Sequence, residues 1–236
     1  MPYKTAGSRG MPVPKQLQFF RAYSAGFPPN ISSLVLTSDL QGREIGRDNR
    51  LLGCALAGEL DVLHRQGVIP YPSLIAVCGD LYEYPDCHKR GGTGPVDEVF
   101  CSLGGICDQV VEVLGNHDEL AGSISSLPPN VAILDGDTKI SLGICVGGVS
   151  GVIGDPKRYL RRNEYAFLQQ LESVTAVAPD LLLLHQGPDD PENFRKGNSV
   201  DPPVSGDRVC RADCFRAHKM AWLPYYQLGR RPSPQR

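Results

Sequence analysis

The sequence predicts a layered α/β fold, and three observations lead to that prediction. First, four short apolar stretches have the length and composition of strands that are buried on both faces. Second, segments with apolar residues at helical spacing alternate with these stretches. Third, each stretch ends at a polar residue or cluster, namely Asp39, Asp80, Asn116-His117 and His185. Because ligands of such sheets gather outside the carboxyl ends of the strands, the pattern predicts one site.

The first half of the chain contains two of these strands with a helix between them. Residues 34–39 and 74–78 are apolar runs that each lead to a carboxylate. Between them, residues 49–65 carry leucine and alanine at helical spacing, and Gly67 is a suitable stop. Residues 85–95 are polar and rich in glycine, which predicts a loop.

The second half continues the alternation of strand and helix. A short helix over residues 96–103 precedes a buried strand over residues 109–114. Three short strands with glycine-containing turns between them follow at residues 131–134, 138–140 and 144–148. The apolar stripe of residues 159–175 predicts a helix, and the four leucines of residues 181–184 predict the last buried strand.

The bulk composition fits one globular core in a reducing compartment. The chain has 236 residues, of which 41% are hydrophobic and 21% charged, and its net charge is −2. These values predict no membrane partner and give no clear sign of nucleic-acid binding, and no apolar run approaches the ~20 residues that span a bilayer. The eight cysteines are scattered, several of them in apolar stretches, which favours a cytoplasmic location.

Both ends of the chain differ from this core. The first 38 residues contain no Asp or Glu but several Lys and Arg, a composition also found in transit peptides. Prolines between residues 12 and 29 break any long amphipathic helix there, so an irregular arm over residues 1–30 is favoured. Residues 189–236 are rich in Pro and Arg, show no periodic pattern and predict a divergent, loosely ordered tail.

The polar residues at the strand ends suit the hydrolysis of a phosphoester. That reaction needs a nucleophile at neutral pH and neutralisation of phosphoryl charge, which two bound cations supply when a carboxylate bridges them. Asp and Asn offer oxygen ligands to Mg or Mn, and His offers imidazole to Zn or Fe.

Four motifs resemble signature blocks of the calcineurin-like metallophosphoesterases, in the same order and at similar spacing. They span residues 34–188 and are Asp39-Leu40-Gln41, Gly79-Asp80, Gly115-Asn116-His117-Asp118 and His185. The resemblance implies a layered α-β-β-α sandwich over residues 31–188. It also implies two divalent metal ions, with Mn, Fe, Zn and Mg all open. A phosphorylated small molecule or nucleotide is the expected substrate, and monoesters, diesters and phosphoproteins all remain open.

The resemblance also implies a role for each matched residue. Asp39 and Gln41 would bind the first metal, Asp80 would bridge both, and Asn116 and His185 would bind the second. His117 would lie over the substrate as a catalytic residue that protonates the leaving oxygen or stabilises the phosphoryl group. Glu83, three residues beyond the bridging aspartate, would orient His117.

Two departures from the family pattern predict a weakened site. Gln41 stands where the first block ordinarily ends in histidine, and an amide oxygen is a weaker ligand than imidazole. The last block of the family, Gly-His-x-His, is missing, because His218 is the single histidine after His185. We therefore expect the sandwich to be incomplete at the C-terminus. A phosphoesterase of reduced activity and an impaired protein that keeps the fold for binding or as a scaffold both remain open.

Three other features have alternative interpretations. Four basic residues could contact phosphate or simply lie on a solvated loop: Arg43, His88, Lys89 and Arg90. The glycine run of residues 91–94 lacks the lysine of a nucleotide-binding loop, which favours an ordinary flexible loop. Cys210, Cys214 and His218 have metal-like spacing but lack a fourth ligand.

Overall fold

The computed structural model describes residues 1–24, 26–46 and 48–187. The predicted tail and the Cys210, Cys214 and His218 group lie outside these residues. Within them, the strands are β1 (Pro2–Ala6), β2 (Pro12–Gln16), β3 (Leu34–Thr37), β4 (Arg43–Glu44), β5 (Leu74–Val77), β6 (Gly94–Pro95), β7 (Gln109–Glu112), β8 (Asp118–Glu119), β9 (Val131–Ile133), β10 (Asp137–Ser141), β11 (Ile144–Val149), β12 (Val152–Ile153), β13 (Arg161–Arg162) and β14 (Leu181–Leu184). The helices are α1 (Leu52–Arg65), α2 (Asp97–Gly104) and α3 (Glu164–Ala176).

A four-stranded parallel sheet in the order β3-β5-β7-β9 carries most of the predicted site. Both of its faces are covered, which is why its strands consist mostly of apolar residues, with Glu112 at the end of β7 as a buried exception. On one face, Ile75 and Val77 of β5 pack in a cluster with Phe100 and other residues of α1 and α2. On the other face, Leu74 and Ala76 face the second sheet.

The second sheet has the order β10-β11-β14, with β11 and β14 parallel. Val146 of β11 and Leu183 of β14 belong to the same buried cluster as Leu74, so this cluster joins the two sheets. Phe167 and Leu171 of α3 pack on the outer side of the second sheet, against Leu184 and its neighbours. The described residues therefore form a mixed α/β structure in which these two sheets pack on each other and helices cover their outer faces.

Most of the predicted elements are confirmed, but both long helices begin later than predicted, α1 at Leu52 instead of residue 49. The predicted helix over residues 159–175 begins only at Glu164. Residues 161 and 162 form β13 instead and pair in parallel with β12. Asn163 then caps α3, because its side-chain oxygen accepts a hydrogen bond from the backbone N–H of Ala166 (2.8 Å).

The prediction of an irregular arm over residues 1–30 is wrong for its first half. β1 and β2 form an antiparallel hairpin, and β1 also pairs with β4. Pro12 and Pro14 break helices, but they are compatible with β2 because that strand lies at the edge of its sheet. Beyond the hairpin, the described residues up to residue 30 form no helix or strand. None of the helices in the described ranges is long and apolar enough to cross a membrane.

Candidate metal centre

The ends of the parallel strands border a cavity of about 320 Å³. Five residues that the sequence predicts as site residues line it: Asp39, Gln41, Asp80, Asn116 and His117. The rest of the lining consists of Val152, Ile153, Arg161 and Gln186. The sequence-predicted residues meet because the carboxyl ends of β3, β5 and β7 lie at one edge of the parallel sheet.

His185 lies beside Asp80 at the end of β14 and is almost wholly buried, with 1% of its surface exposed. Its Nδ1 atom lies 2.7 Å from the carbonyl oxygen of Cys78. Because a carbonyl oxygen only accepts, Nδ1 carries a hydrogen and donates it, which leaves Nε2 as the ring atom that a cation can bind once the ring is neutral. Nε2 lies 3.4 Å from Oδ1 of Asp80 and makes no hydrogen bond to the described residues. A metal-binding histidine is arranged in this way.

Asp80 and His185 stabilise each other's charged forms. Burial of Asp80 acts to raise its pKa, but His185 and His117 outweigh burial and hold the pKa below its ordinary value. Burial of His185 acts to lower its pKa, but the Asp80 carboxylate outweighs burial and raises it. Asp80 is therefore ionised at neutral pH, as a metal ligand must be.

Two site residues adopt an uncommon backbone conformation. Asp39 and Asp80 lie in the left-handed region, with φ values of 48° and 56°. Residues other than glycine seldom adopt this conformation, and those that do occur often at functional sites. The strain aims both carboxylates at the end of the sheet, where they line one cavity.

The glycines of two motifs allow the ends of β5 and β7 to approach each other closely. A Cβ atom on Gly79 would lie 2.2 Å from the backbone nitrogen of Gly115. A Cβ atom on Gly115 would lie 2.2 Å from Oδ1 of Asp80. Any larger residue at either position would push the two loops apart. Both glycines are therefore needed to bring the Gly-Asp and Gly-Asn-His-Asp motifs together.

Asp118 is a site residue whose role the sequence does not reveal. It is fully buried, and its carboxylate accepts hydrogen bonds from the backbone N–H groups of Asp80 (2.7 Å), Leu81 (2.7 Å) and Gly115 (2.9 Å). Asp118 therefore fixes the loop that carries Asp80. The only available signal was its place as the last residue of the Gly-Asn-His-Asp motif.

Glu83 does not contact His117, contrary to the role that the resemblance implies. Its buried carboxylate accepts a hydrogen bond from the Thr5 hydroxyl (2.6 Å) and one from the backbone N–H of Ala6 (3.3 Å). The reason is the unexpected N-terminal hairpin, which lies against the loop after β5. Nδ1 of His117 is buried and has no hydrogen-bond partner among the described residues.

His117 is held by its backbone and by the glycine-rich loop. Its N–H donates to Oδ1 of Asp80 (3.2 Å), and its carbonyl oxygen accepts from the N–H of Gly94 (3.3 Å). Gly91 has a φ of +68°, and a Cβ atom there would lie 3.1 Å from the His117 ring. This loop therefore borders the catalytic histidine that the sequence predicts.

The basic residues considered as phosphate contacts do not line the cavity: Arg43, His88, Lys89 and Arg90. Arg43 donates two hydrogen bonds to the carbonyl oxygen of Glu83 (3.0 and 2.8 Å). Arg90 donates to the carbonyl oxygen of Ala6 (2.9 Å). His88 pairs with Asp86 on an exposed loop. Arg43 and Arg90 thus hold the hairpin and the loop in place.

Arg161 and Gln186 also line the cavity, and no sequence motif points to either of them. Arg161 belongs to a segment that the sequence predicts as helix. In the structure it lies in β13, opposite Val152 of β12. Gln186 directly follows His185 and is also buried. Of the described residues that line the cavity, Arg161 alone has a permanent positive charge.

The donor atoms around the cavity suit a divalent cation, but their number and type predict weak binding. Within the described residues, no three His, Cys, Asp or Glu side chains form a group that could hold an ion by themselves. The amide oxygens of Gln41 and Asn116 are needed to complete the donor set, and such hard ligands suit Mg²⁺ or Mn²⁺. The amide nitrogen of Gln41 is buried without a described partner, so the amide can turn and present its oxygen instead.

No protein-family model matches the chain, and no curated protein matches it at a significant level. The functional interpretation therefore depends on the residues around the cavity and on their geometry.

Proposed function

We propose that this protein is a metal-dependent phosphoester hydrolase of the calcineurin-like metallophosphoesterase type. The observation that carries the proposal is His185, whose Nδ1 is bound to the Cys78 carbonyl while its buried Nε2 lies 3.4 Å from Asp80. This geometry directs Nε2 toward an ionised carboxylate, and a cation bound there would displace the Nε2 proton that the carboxylate otherwise favours. The arrangement of two sheets between helices supports the proposal, because the family resemblance implies an α-β-β-α sandwich.

The proposed roles follow the positions of the donors. Asp39 and Gln41 would hold one cation, and Asn116 and His185 the other, with the Asp80 carboxylate between them. The bound cations would supply a Lewis acid and an activated water for attack on phosphorus. The buried Asp118 positions Asp80 through backbone hydrogen bonds and thereby fixes the spacing of the donors.

His117 is the proposed general acid. It lines the cavity, and the Asp80 carboxylate accepts its backbone N–H (3.2 Å). Its imidazole can donate a proton to the oxygen of the leaving group, a role in which histidine is the commonest side chain. The loop at Gly91 lies beside this ring, since a Cβ atom on Gly91 would lie 3.1 Å from it, and so limits the movement of the ring on that side.

A second candidate function is a binding or scaffold protein that keeps the fold without tight metal binding. The observation that favours it is the lack, among the described residues, of any group of three His, Cys, Asp or Glu that could hold an ion alone. The missing Gly-His-x-His block points in the same direction. Titration calorimetry with Mn²⁺ and Zn²⁺ separates the two functions, because a scaffold of this kind shows no tight binding.

The enzymatic proposal is tested by hydrolysis of p-nitrophenyl phosphate and bis(p-nitrophenyl) phosphate with Mn²⁺ present. We expect Asp80→Asn and His117→Ala to lower kcat/KM by about 100-fold or more with the fold intact by circular dichroism. His64→Ala is the matched control, because His64 lies near the C-terminal end of α1, at the opposite edge of the sheet. If all three variants hydrolyse both esters at the parental rate, the assignment is wrong.

A further inference from the structure

We propose that Arg161 binds the non-bridging oxygens of the substrate phosphoryl group and makes the site selective for phosphomonoesters. The inference rests on the proposed hydrolase function and deepens it by naming the substrate class. It starts from the two consecutive arginines of β13, whose side chains have different surroundings. Arg161 lines the cavity with Asp80 and His117, whereas Arg162 lines a separate depression beside α3.

Arg162 has the partners of a structural arginine. Its guanidinium donates to the carbonyl oxygen of Ser150 and forms an ion pair with Asp135. Arg161, in contrast, makes no side-chain hydrogen bond or ion pair with any described residue. Since successive residues of a strand point to opposite sides, fixing Arg162 on one side presents Arg161 on the other.

The segment that carries Arg161 is attached to the short stretch of chain between the end of β7 and Asn116. The backbone N–H of Gly151 donates to the carbonyl oxygen of Leu114 (2.7 Å), and that of Val152 donates to the carbonyl oxygen of Leu160 (3.0 Å). Gly154 leaves room for the arginine, because a Cβ atom there would lie 3.3 Å from Cδ of Arg161. These contacts fix the position of Arg161 relative to the carboxyl edge of the parallel sheet.

The charges of the side chains that line the cavity indicate that Arg161 binds an anion. Asp39 and Asp80 supply its negative charges, and these are the proposed cation ligands. The guanidinium remains free for an anion that binds to the same cations. Its planar fork matches two oxygens of a phosphoryl group and forms paired, charge-assisted hydrogen bonds.

A phosphomonoester gains more from this contact than a phosphodiester. A monoester carries close to two negative charges at neutral pH, because its second pKa is about 6, whereas a diester carries one. The attraction to a fixed cation grows with the charge on the ligand. Val152 lies opposite Arg161 in β12 and gives this side of the cavity an apolar portion for the ester group.

The test compares Arg161→Gln with Arg158→Gln in the full chain. Arg158 is exposed, lies outside the cavity and has the same charge, so its variant controls for the change in net charge. Mn²⁺ binding is measured first by calorimetry, and inorganic phosphate is then titrated into the Mn²⁺-loaded proteins. We expect Arg161→Gln to bind Mn²⁺ like the parent but phosphate about 10- to 100-fold more weakly, with Arg158→Gln unchanged.

A kinetic comparison tests the selectivity. The ratio of kcat/KM for p-nitrophenyl phosphate to that for bis(p-nitrophenyl) phosphate should fall about 10-fold in Arg161→Gln. Arg161→Lys keeps the charge without the fork, so it should recover part of the phosphate affinity, and it replaces the glutamine variant if that one does not fold.

Each outcome has a definite meaning for the proposal. Phosphate affinity and selectivity within about two-fold of the parent in Arg161→Gln would overturn the role of Arg161. The hydrolase function would survive that result if the parent binds Mn²⁺ and cleaves the esters. A parent that binds no Mn²⁺ would overturn both proposals.

Discussion

The carboxylate of Asp118 accepts backbone N–H groups from two separate loops, including those of Asp80 and Gly115. Asp118 is fully buried, and burial, followed by repulsion from Asp80, raises its pKa. The loop N–H donors act in the opposite direction and favour the ionised form. These hydrogen bonds offset part of the cost of burying the Asp118 carboxylate. They also fix the loop that carries the Asp80 carboxylate.

Asp118→Asn tests this role. The variant puts an NH2 group where a carboxylate oxygen accepted a backbone N–H, so two donors face each other and the loop must move. We expect the free energy of unfolding to fall by about 2–4 kcal/mol and Mn²⁺ affinity to fall with it. Chemical denaturation and calorimetry measure the two effects. Glu119→Gln, an exposed neighbour, should change neither. Parental Mn²⁺ affinity in Asp118→Asn would contradict the positioning role.

Glu112 gives a second prediction at the level of one residue, because its carboxyl group is fully buried and neither carboxyl oxygen has a hydrogen-bond partner among the described residues. Burial, followed by repulsion from Asp118, raises its pKa well above 4.5. The folded protein therefore binds this proton more tightly than the unfolded chain does. Stability from Glu112 is present below pH ~4.5 and is lost as the pH rises through the folded-state pKa.

Glu112→Gln should remove this dependence on pH, because the amide is neutral throughout. We expect the parent and the variant to be equally stable near pH 4 and the variant to be more stable by about 1 kcal/mol or more at pH 7.5. Urea denaturation at both pH values measures the difference. A variant that is less stable at pH 7.5 would show that the carboxylate has a stabilising partner.

At the scale of elements, the N-terminal hairpin acts as a support for the loop after β5. The Thr5 hydroxyl and the Ala6 N–H satisfy the buried Glu83 carboxylate, and Arg43 binds the Glu83 carbonyl. Sequence could not predict this, because the contacts join residues 78 positions apart and proline-rich segments give no strand periodicity. The same separation in sequence explains why the predicted partner of Glu83, His117, is wrong.

Thr5→Val should destabilise the protein without altering the chemistry. The variant keeps the shape of the side chain but leaves the Glu83 carboxylate with one donor fewer, at a cost of about 1–3 kcal/mol. Thr5→Ser retains the hydroxyl and should lose much less. Thermal denaturation gives the stability, and kcat at saturating ester gives the activity of the folded fraction. If Thr5→Val shifts the pH profile of kcat instead, Glu83 influences His117 after all.

For the whole molecule, the site lies where the two sheets meet. Asp39, Asp80 and Asn116 follow strands of the first sheet, and His185 follows β14 of the second. The meeting of Asp39, Asp80 and Asn116 could be predicted, because parallel strands of one sheet that end in polar residues place them at one edge, whereas His185 reaches Asp80 from a different sheet. Arg161 and Asp118 could not, since one depends on a strand pair inside an apparent helix and the other on contacts between loops.

Because the donors come from both sheets, cation binding should stabilise the fold as a whole. A ligand that binds only the folded state at 100 times its Kd adds about 2.7 kcal/mol to the free energy of unfolding. We expect Mn²⁺ to raise the Tm of the metal-free protein by several degrees and chelation with EDTA to reverse the change. His185→Ala removes the donor of the second sheet and should lose most of this increment, whereas His64→Ala should keep it. If the Tm of the parent does not respond to Mn²⁺, Zn²⁺ or Mg²⁺ at millimolar concentration, the cavity is not a metal centre, and the scaffold function becomes the better explanation.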